Sequence, residues 1–272
     1  MDPLRISLLQ TNIVWENKSE NLRRLHRQLQ ELHGRTDLAV LPEMFSTGFC
    51  MSPGPLAETT DGRTITTLLQ WAQRYQIALA GSFIACQSTP SSSSAMRYFN
   101  RAFFITPEGE CHFYDKRHLF RIGMEGEQYT AGQDRPIVTY KGWHILLQIC
   151  YDLRFPVWSR NVNNEYDLLI YVANWPTARR HVWDVLLQAR ALENLCYTCG
   201  INRVGIDGNG LPYNGGSTLY SPKGKILAAV PDDKEGIATA TLSFDDLKMF
   251  REKFPVWLDA DRFTISSDNN SR

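Results

Sequence analysis

The stretch from His144 to Pro156 reads HILLQICYDLRFP, and its character changes in the middle. Apolar side chains dominate as far as Ile149, which is typical of a strand buried on both faces of a sheet. Cys150 and a polar segment follow at once. The pattern predicts a buried strand that ends at a strand-to-helix junction, with Cys150 at the turn.

Two further predicted strands end at a reactive side chain. DLAVLPE places Glu43 after the short buried strand Asp37–Leu41, and CHFYDK places Lys116 after the strand Glu110–Asp115. Ligands of layered α/β proteins bind beyond strand ends, where loops converge. Taken singly, each side chain has an ordinary structural explanation: a solvated acid, a surface lysine, or a buried and inert cysteine.

Taken together, these three groups supply the parts of amide hydrolysis. A helix N-terminus beside Cys150 favours the thiolate through its dipole. A carboxylate such as Glu43 can take the thiol proton and later give it to the leaving ammonia. The ammonium of Lys116 can stabilise the tetrahedral oxyanion, together with a backbone N–H after the cysteine.

Length and composition indicate a globular protein with a large core. The chain has 272 residues, with 29 Lys and Arg against 29 Asp and Glu, so its formal net charge is zero. We therefore expect neither a nucleic-acid surface nor an anionic-membrane surface, because both need a basic excess. No apolar run approaches the length of a membrane span, and no export signal is visible. The six cysteines are expected as reduced thiols in a cytoplasmic protein.

The remaining pattern predicts about a dozen strands and four or five helices in one domain over residues 1–265. Helices are expected at Lys18–His33, with Asn17 as N-cap, around Ile65 to Ala72, and at His181–Asn194. So many strands favour two sheets packed face to face with helices outside, an α/β sandwich. Ser88–Ser94 (STPSSSS) is expected as a surface loop, and residues 266–272 as a disordered tail.

The sequence resembles the nitrilase superfamily of carbon–nitrogen hydrolases in three signature blocks. These are LPEMF around Glu43, YDKRHLF around Lys116 and CYDLRFP around Cys150, in the family's order and spacing. Further matches follow, and together they cover nearly the whole chain: YVANWP (171–176), ARALEN (189–194), NRVGIDGNG (202–210) and REKFPVWLDAD (251–261). The resemblance implies a four-layer α-β-β-α sandwich with two mixed sheets. Within the superfamily the chain looks most like bacterial omega-amidases, or 2-oxoglutaramate amidases.

The resemblance also implies the roles of individual residues. Glu43 becomes the general base, Lys116 the oxyanion stabiliser and Cys150 the nucleophile, while the backbone N–H of Tyr151 completes the oxyanion hole. Many members have a second catalytic glutamate, for which Glu125 is the match. Glu127 is a close rival, because GMEGEQY departs from the expected family forms. The implied mechanism passes through a cysteine thioester and uses no metal or cofactor, and a homodimer is expected.

The substrate side of the site rests on fewer residues. Arg154, four residues after Cys150, shares a face with it if a helix starts at the cysteine, and can then bind a carboxylate as a fork. A structural ion pair with Asp152 or another acid is the open alternative. Other candidate substrate contacts are Trp175 and Phe120 as pocket walls and Asn174 as a polar contact. For Phe120, core packing is an equal alternative. The predicted substrate is a short dicarboxylate monoamide such as 2-oxoglutaramate or succinamate.

Three other features have mainly structural interpretations. His118 is a possible second base, but no Asn or Asp partner for it is indicated. Gly205–Gly216 lacks a phosphate-binding pattern and is interpreted as a loop near the site mouth or an interface. Cys196 and Cys199 have the spacing of half a zinc or redox site, but a second pair is absent, so core packing is favoured.

Rival functions remain open at this stage. A nitrilase or a carbamoyl hydrolase would use the same scaffold. A catalytically dead binding module is a different class, against which the joint presence of Glu43, Lys116 and Cys150 argues. A glutamine-driven amide transfer subunit needs a synthetase domain for which 272 residues leave no room.

Overall fold

The computed structural model describes residues 1–89 and 92–265. The predicted tail at 266–272 lies outside the described residues. The strands are, in chain order, β1 (Leu4–Gln10), β2 (Leu38–Val40), β3 (Ala78–Thr89), β4 (Ser92–Ile105), β5 (Cys111–Asp115), β6 (Ile137–Tyr140), β7 (Trp143–Ile149), β8 (Leu168–Ala173), β9 (Tyr197–Asn202), β10 (Val204–Ile206), β11 (Pro212–Asn214), β12 (Thr218–Tyr220), β13 (Ile226–Ala229) and β14 (Gly236–Leu242). The α-helices are α1 (Lys18–Leu32), α2 (Arg63–Tyr75), α3 (Glu125–Gln128), α4 (Pro156–Ser159), α5 (Arg180–Asn194) and α6 (Phe244–Lys253).

Two six-stranded mixed sheets carry the fold. The first has the order β14-β1-β2-β3-β4-β5 and the second the order β13-β12-β9-β8-β7-β6. Each sheet has three parallel strands at its centre, β1-β2-β3 in one and β7-β8-β9 in the other. Antiparallel strands complete both edges. The carboxyl ends of the central strands therefore gather where loops from both sheets meet.

Alternation along the central strands builds the core between the sheets. Ile145, Leu147 and Ile149 of β7 point into the inter-sheet core, and Leu146 points to the outer face. Successive side chains of a strand face opposite ways, so a run that is apolar throughout can serve two layers. The largely apolar run before Cys150, interrupted by Gln148, is therefore explained by helices that cover the second sheet.

Helices cover both outer faces, which gives four layers. α1 and α2 pack on the first sheet through Leu25, Leu29 and Leu68, and α5 packs on the second through Trp183 and Leu187. The predicted α/β fold, a four-layer α-β-β-α sandwich with two mixed sheets, is confirmed. The predicted N-cap is also confirmed, because the Asn17 side chain accepts a 3.0 Å hydrogen bond from the backbone of Glu20.

Several sequence-based element assignments are wrong. The predicted loop Ser88–Ser94 is largely strand, because the β3–β4 ladder extends to the pair Thr89 and Ser92, while residues 90–91 lie outside the described residues. The expected loop Gly205–Gly216 contains the two-stranded ribbon of β10 and β11. Helix α6 was not predicted. Cys150 begins a five-residue 3-10 turn (Cys150–Arg154) and not an α-helix.

A close backbone approach fixes the end of β5. The backbone N–H of Gly132 donates a 3.0 Å hydrogen bond to the carbonyl of Lys116. A Cβ added at Gly132 would lie 2.2 Å from the carbonyl oxygen of Asp115, a backbone atom that cannot rotate away. Glycine is therefore required at position 132 for this contact.

We predict that Gly132→Ala lowers the free energy of unfolding by about 1–3 kcal/mol, the usual cost of overpacking. The measurement is urea denaturation followed by circular dichroism. Gly126→Ala is the matched control, because a Cβ there meets its nearest neighbour only at 4.0 Å. Equal unfolding midpoints for the two variants would contradict the prediction.

Candidate active site

The three side chains predicted from separate strand ends lie in one pocket. Glu43 follows β2, Lys116 follows β5 directly, and Cys150 follows β7 directly. Asn174, which comes directly after β8, lines the same cavity. The remaining lining residues are Phe49, Phe120, Tyr151, Arg154, Trp175, Pro176, Arg179, Leu211 and Tyr213.

A buried ammonium lies between two buried carboxylates. Lys116 Nζ is 3.0 Å from Glu43 Oε1 and 2.9 Å from Glu125 Oε2, and all three side chains are at most 1% exposed. Glu127, the rival for the second glutamate, is exposed on α3. The structure therefore brings Glu125 to Lys116 and leaves Glu127 at the surface.

Two asparagines hold the carboxylate of Glu43. Asn100 Nδ2 donates to Glu43 Oε1 at 2.7 Å and to Glu125 Oε1 at 3.1 Å, so it bridges the two acids. On the other side, the backbone N–H of Asn174 donates to Glu43 Oε2 at 2.8 Å. Sequence reasoning missed Asn100, because nothing in the pattern of β4 distinguishes it from other buried polar residues.

The buried charges shift each other's pKa. Burial acts to lower the pKa of Lys116, but the carboxylates of Glu125 and Glu43 outweigh it, and the net pKa is raised. Burial raises the pKa of Glu125; Lys116 opposes this and the charge of Glu43 adds to it. The ammonium is therefore held in its charged form.

Cys150 occupies a strained backbone turn. Its φ is 45°, which non-glycine residues rarely adopt, and its sulfur lies 3.9 Å from the carbonyl oxygen of Asn174. Burial, and then the negative charge of Glu43, raise the pKa of the Cys150 thiol well above its usual range. The α-helix predicted to begin at Cys150 is a short 3-10 turn in the structure, and the net shift of the thiol pKa is upward.

Asp152 ties the lysine segment to the cysteine turn. Its buried carboxylate accepts hydrogen bonds from Tyr114 Oη (2.7 Å), the backbone N–H of His118 (3.0 Å) and the backbone N–H of Ile149 (3.0 Å). His118 Nδ1 is 2.8 Å from Asp152 Oδ1, and the ring stacks on Phe155. His118 therefore does have an Asp partner, contrary to expectation, and its contacts are structural.

The predicted substrate contacts also line the pocket. Phe120, Tyr151 and Trp175 form aromatic walls, with the rings of Phe120 and Tyr151 packed edge to face at 5.2 Å. Arg154 does not pair with Asp152 in the described part of the chain but stacks on Trp175, with 5.2 Å from Cζ to the ring centroid. The prediction that Cys150 and Arg154 share one face of an α-helix is wrong, because residues four apart in a 3-10 turn do not share a face.

Sequence reasoning missed five other lining residues. Phe49, Pro176, Arg179, Leu211 and Tyr213 all border the cavity. Phe49 comes four residues after the LPEMF block, Pro176 ends the YVANWP block and Arg179 follows it, so nearness to these blocks is the available signal. Leu211 and Tyr213 reach the cavity from the β10–β11 ribbon, so the segment Gly205–Gly216 does border the site, as one of its two interpretations predicts.

Metal-ligand geometry is absent from the described residues. No group of three or more His, Cys, Asp or Glu side chains there could hold a metal ion. Cys196 and Cys199 are both buried in the core of the second sheet. Within residues 1–89 and 92–265, no helix has both the length and the apolar character needed to cross a bilayer.

The two-sheet sandwich, with a carboxylate, an ammonium and a thiol at its strand ends, defines the nitrilase-like class of α/β proteins. The chain belongs to the carbon-nitrogen hydrolase family, whose model matches residues 5–252. It is similar in fold to XC1258 of Xanthomonas campestris, a CN-hydrolase superfamily protein with an arsenic adduct in the active site. The TM-score is 0.92 with 40% identity, and the match covers 98% of this chain and 100% of that chain.

Curated relatives share most of the length. Omega-amidase YafV of Escherichia coli (strain K12) is 46% identical over 265 residues, which are 97% of this chain and 100% of the relative. The 2-oxoglutaramate amidase of Bacillus subtilis (strain 168) is 28% identical over 257 residues, covering 93% of this chain and 96% of the relative.

We predict that Glu43→Gln speeds iodoacetamide alkylation of Cys150 at neutral pH. The charge of Glu43 helps to raise the pKa of this thiol, so its removal lowers that pKa and increases the thiolate fraction, about tenfold per pKa unit. The measurement is the alkylation rate against pH, read by mass spectrometry of the Cys150 peptide. Glu127→Gln makes the same charge change on an exposed residue and should leave the profile unchanged. A profile that Glu43→Gln does not move would contradict the prediction.

Proposed function

We propose that this chain is an omega-amidase, which hydrolyses the terminal amide of a short dicarboxylate monoamide to the acid and ammonia. The observation that carries the proposal is the buried ammonium of Lys116 between Glu43 and Glu125, beside the Cys150 thiol in one small cavity. The relatives named omega-amidase and 2-oxoglutaramate amidase support the same reaction.

Acylation begins with proton transfer from Cys150 to Glu43. The sulfur attacks the amide carbon, and the carbonyl electrons move to an oxyanion stabilised by Lys116 and the backbone N–H of Tyr151. Residues in the first turn of a helix have N–H groups without intrahelical partners, so this N–H is available. Collapse of the intermediate breaks the carbon–nitrogen bond, and Glu43 returns the proton to the leaving ammonia.

In deacylation, water replaces the thiol as the nucleophile and attacks the thioester. Glu43 takes a proton from water, the resulting hydroxide attacks the thioester carbon, and Lys116 again stabilises the oxyanion. The carbon–sulfur bond breaks, the acid leaves, and the sulfur recovers its proton. Acylation needs a base because the thiol rests protonated, in line with its raised pKa, and deacylation needs one because neutral water is a weak nucleophile.

Glu125 keeps Lys116 charged and in place. Both of its carboxylate oxygens contact Lys116 Nζ, at 3.0 and 2.9 Å, and the backbone N–H of Phe120 donates to Oε2 at 2.6 Å. Since its neighbours raise the pKa of Lys116, this ammonium acts as a fixed charge and not as a proton donor. Glu125 is thus a positioning residue for the oxyanion site.

The pocket suits a small amide with an anionic far end. Asn174 donates through Nδ2 to the carbonyl oxygen of Glu43 at 2.6 Å. The buried Oδ1 of Asn174 has no hydrogen-bond partner in the described structure. An acceptor left over in this position suits the N–H of a primary amide. Arg154 offers a guanidinium to a distal carboxylate. The finer choice between 2-oxoglutaramate and succinamate depends on that far end.

We predict that ammonia release is fastest with short anionic monoamides, compared with a neutral amide, a nitrile and a ureido compound of equal length. Cys150→Ala should lower turnover by more than about a thousandfold. The assay is steady-state ammonia detection, with circular dichroism to check folding. Equal rates on neutral and anionic amides would reject the proposal that the substrate is anionic. Faster hydrolysis of the nitrile would support a nitrilase, and faster hydrolysis of the ureido compound would support a carbamoyl hydrolase. A wild type that hydrolyses none of these compounds would support the catalytically dead binding module.

The proposal also covers the domain organisation, the cellular location and the oligomeric state of the protein. Residues 1–265 form one domain, and the enzyme works in the cytoplasm as a homodimer that pairs through α4 and α5, close to Cys150. Apolar side chains on these helices support that surface: Val157 is 56% exposed, and Val185 and Leu192 are each 49% exposed.

We predict that Val157→Asp converts a dimer to a monomer, because it places a charge in a desolvated apolar contact. The measurement is sedimentation velocity at micromolar concentration. Ile226→Asp is the control, since Ile226 is 61% exposed on β13 of the same chain. A monomeric wild type would refute the dimer.

A further inference from the structure

Two guanidinium groups border the candidate active site. Arg154 Cζ lies 5.2 Å from the ring centroid of Trp175, and Arg179 Cζ lies 5.2 Å from the ring centroid of Phe120. Both arginines are half-buried and line the cavity that holds Cys150. The cavity therefore has two cations on its aromatic walls in addition to the buried Lys116.

Neither guanidinium has a carboxylate partner among the side chains that the structure describes. The contrast with the next residue is informative, because Arg180 pairs with Asp184 at 2.8 Å and with Asp232 at 2.9 Å. Lys116, by comparison, is balanced by two acids within the site. The uncompensated positive charge is thus confined to Arg154 and Arg179, where a partly desolvated cation gains most from an anionic ligand.

Trp175 links the two arginines into a rigid unit. Its indole Nε1 donates to the backbone carbonyl of Arg179 at 2.8 Å, while its ring face carries the guanidinium of Arg154. The backbone N–H of Arg179 also donates to the carbonyl of Pro176 at 3.0 Å, which closes the turn. A clamp held in this way loses little conformational entropy when it binds a ligand.

The size of the cavity limits what the two arginines can bind. Its volume is about 60 Å³, whereas ordinary ligand pockets have roughly 300 Å³ or more. The cavity therefore favours a small substrate. Arg154 and Arg179 both line this same small space.

We propose that Arg179 is a specificity-determining residue that acts with Arg154 as a two-guanidinium clamp. One of the two guanidinium groups pairs with the carboxylate of the substrate, and the other donates hydrogen bonds to the oxygen of a neighbouring 2-oxo group. A single carboxylate is satisfied by one bidentate guanidinium, so a second cation at the same end selects a substrate with another acceptor beside it. This inference rests on the proposed amidase function and adds Arg179 to the residues that recognise the far end of its substrate.

The test compares Arg179→Gln with Arg121→Gln, which removes one positive charge from an exposed residue outside this cavity. For each variant, kcat/KM is measured with 2-oxoglutaramate, succinamate and butyramide. In Arg179→Gln we expect the ratio of kcat/KM for 2-oxoglutaramate to that for butyramide to fall about 10–100-fold, the value of one charged hydrogen bond, mainly through KM. The ratio to succinamate should fall as well, and Arg121→Gln should keep both ratios.

Two results would overturn the clamp. Loss of activity by the same factor on all three amides would mean that Arg179 only supports the fold, and unchanged ratios would mean that it does not touch the substrate. A binding measurement separates the clamp from the proposed function. Calorimetric titration of Cys150→Ala with 2-oxoglutarate needs no turnover, and adding Arg179→Gln to that variant should weaken binding about tenfold or more. A wild type that hydrolyses no amide would reject the proposed function, while this titration still decides the role of Arg179.

Discussion

The buried ammonium of Lys116 is the constraint on which the site depends. An isolated charge is very costly to bury, and this one is tolerated because Glu43 and Glu125 contact it directly. Each partner comes from a different part of the chain, so the charge cluster forms only when the loops after β2 and β5 and the short helix α3 are in place. The same contacts that balance the charges also fix the geometry of the candidate catalytic groups.

The hydrogen bonds around this cluster connect the two sheets. Asn100 on β4 and Asn174 after β8 hold opposite sides of the Glu43 carboxylate, and Asp152 joins the lysine segment to the turn at Cys150. Buried polar groups that are fully paired make a rigid arrangement, since any displacement leaves a desolvated group without a partner. The positions of Glu43 and Cys150 relative to each other are therefore set by both sheets.

Charge is distributed unequally between the floor and the mouth of the cavity. On the floor, one cation and two carboxylates hold each other, and the pKa of Cys150 is raised by burial and by those acids. At the mouth, Arg154 and Arg179 stack on aromatic rings without carboxylate partners in the described chain. The charges of the floor are thus paired with one another, while the two guanidinium groups of the mouth contact aromatic rings.

The sequence by itself determined the layers and the three candidate catalytic residues. Apolar runs of strand length, the helical spacing of α1 and the motifs around Glu43, Lys116 and Cys150 are local patterns, and local patterns are visible in one chain. Only the tertiary structure distinguished Glu125 from Glu127, placed Asn100 and Arg179 beside the site and gave His118 its partner Asp152. These are long-range contacts between polar residues, which depend on how strands and loops pack and leave no periodic trace in the sequence.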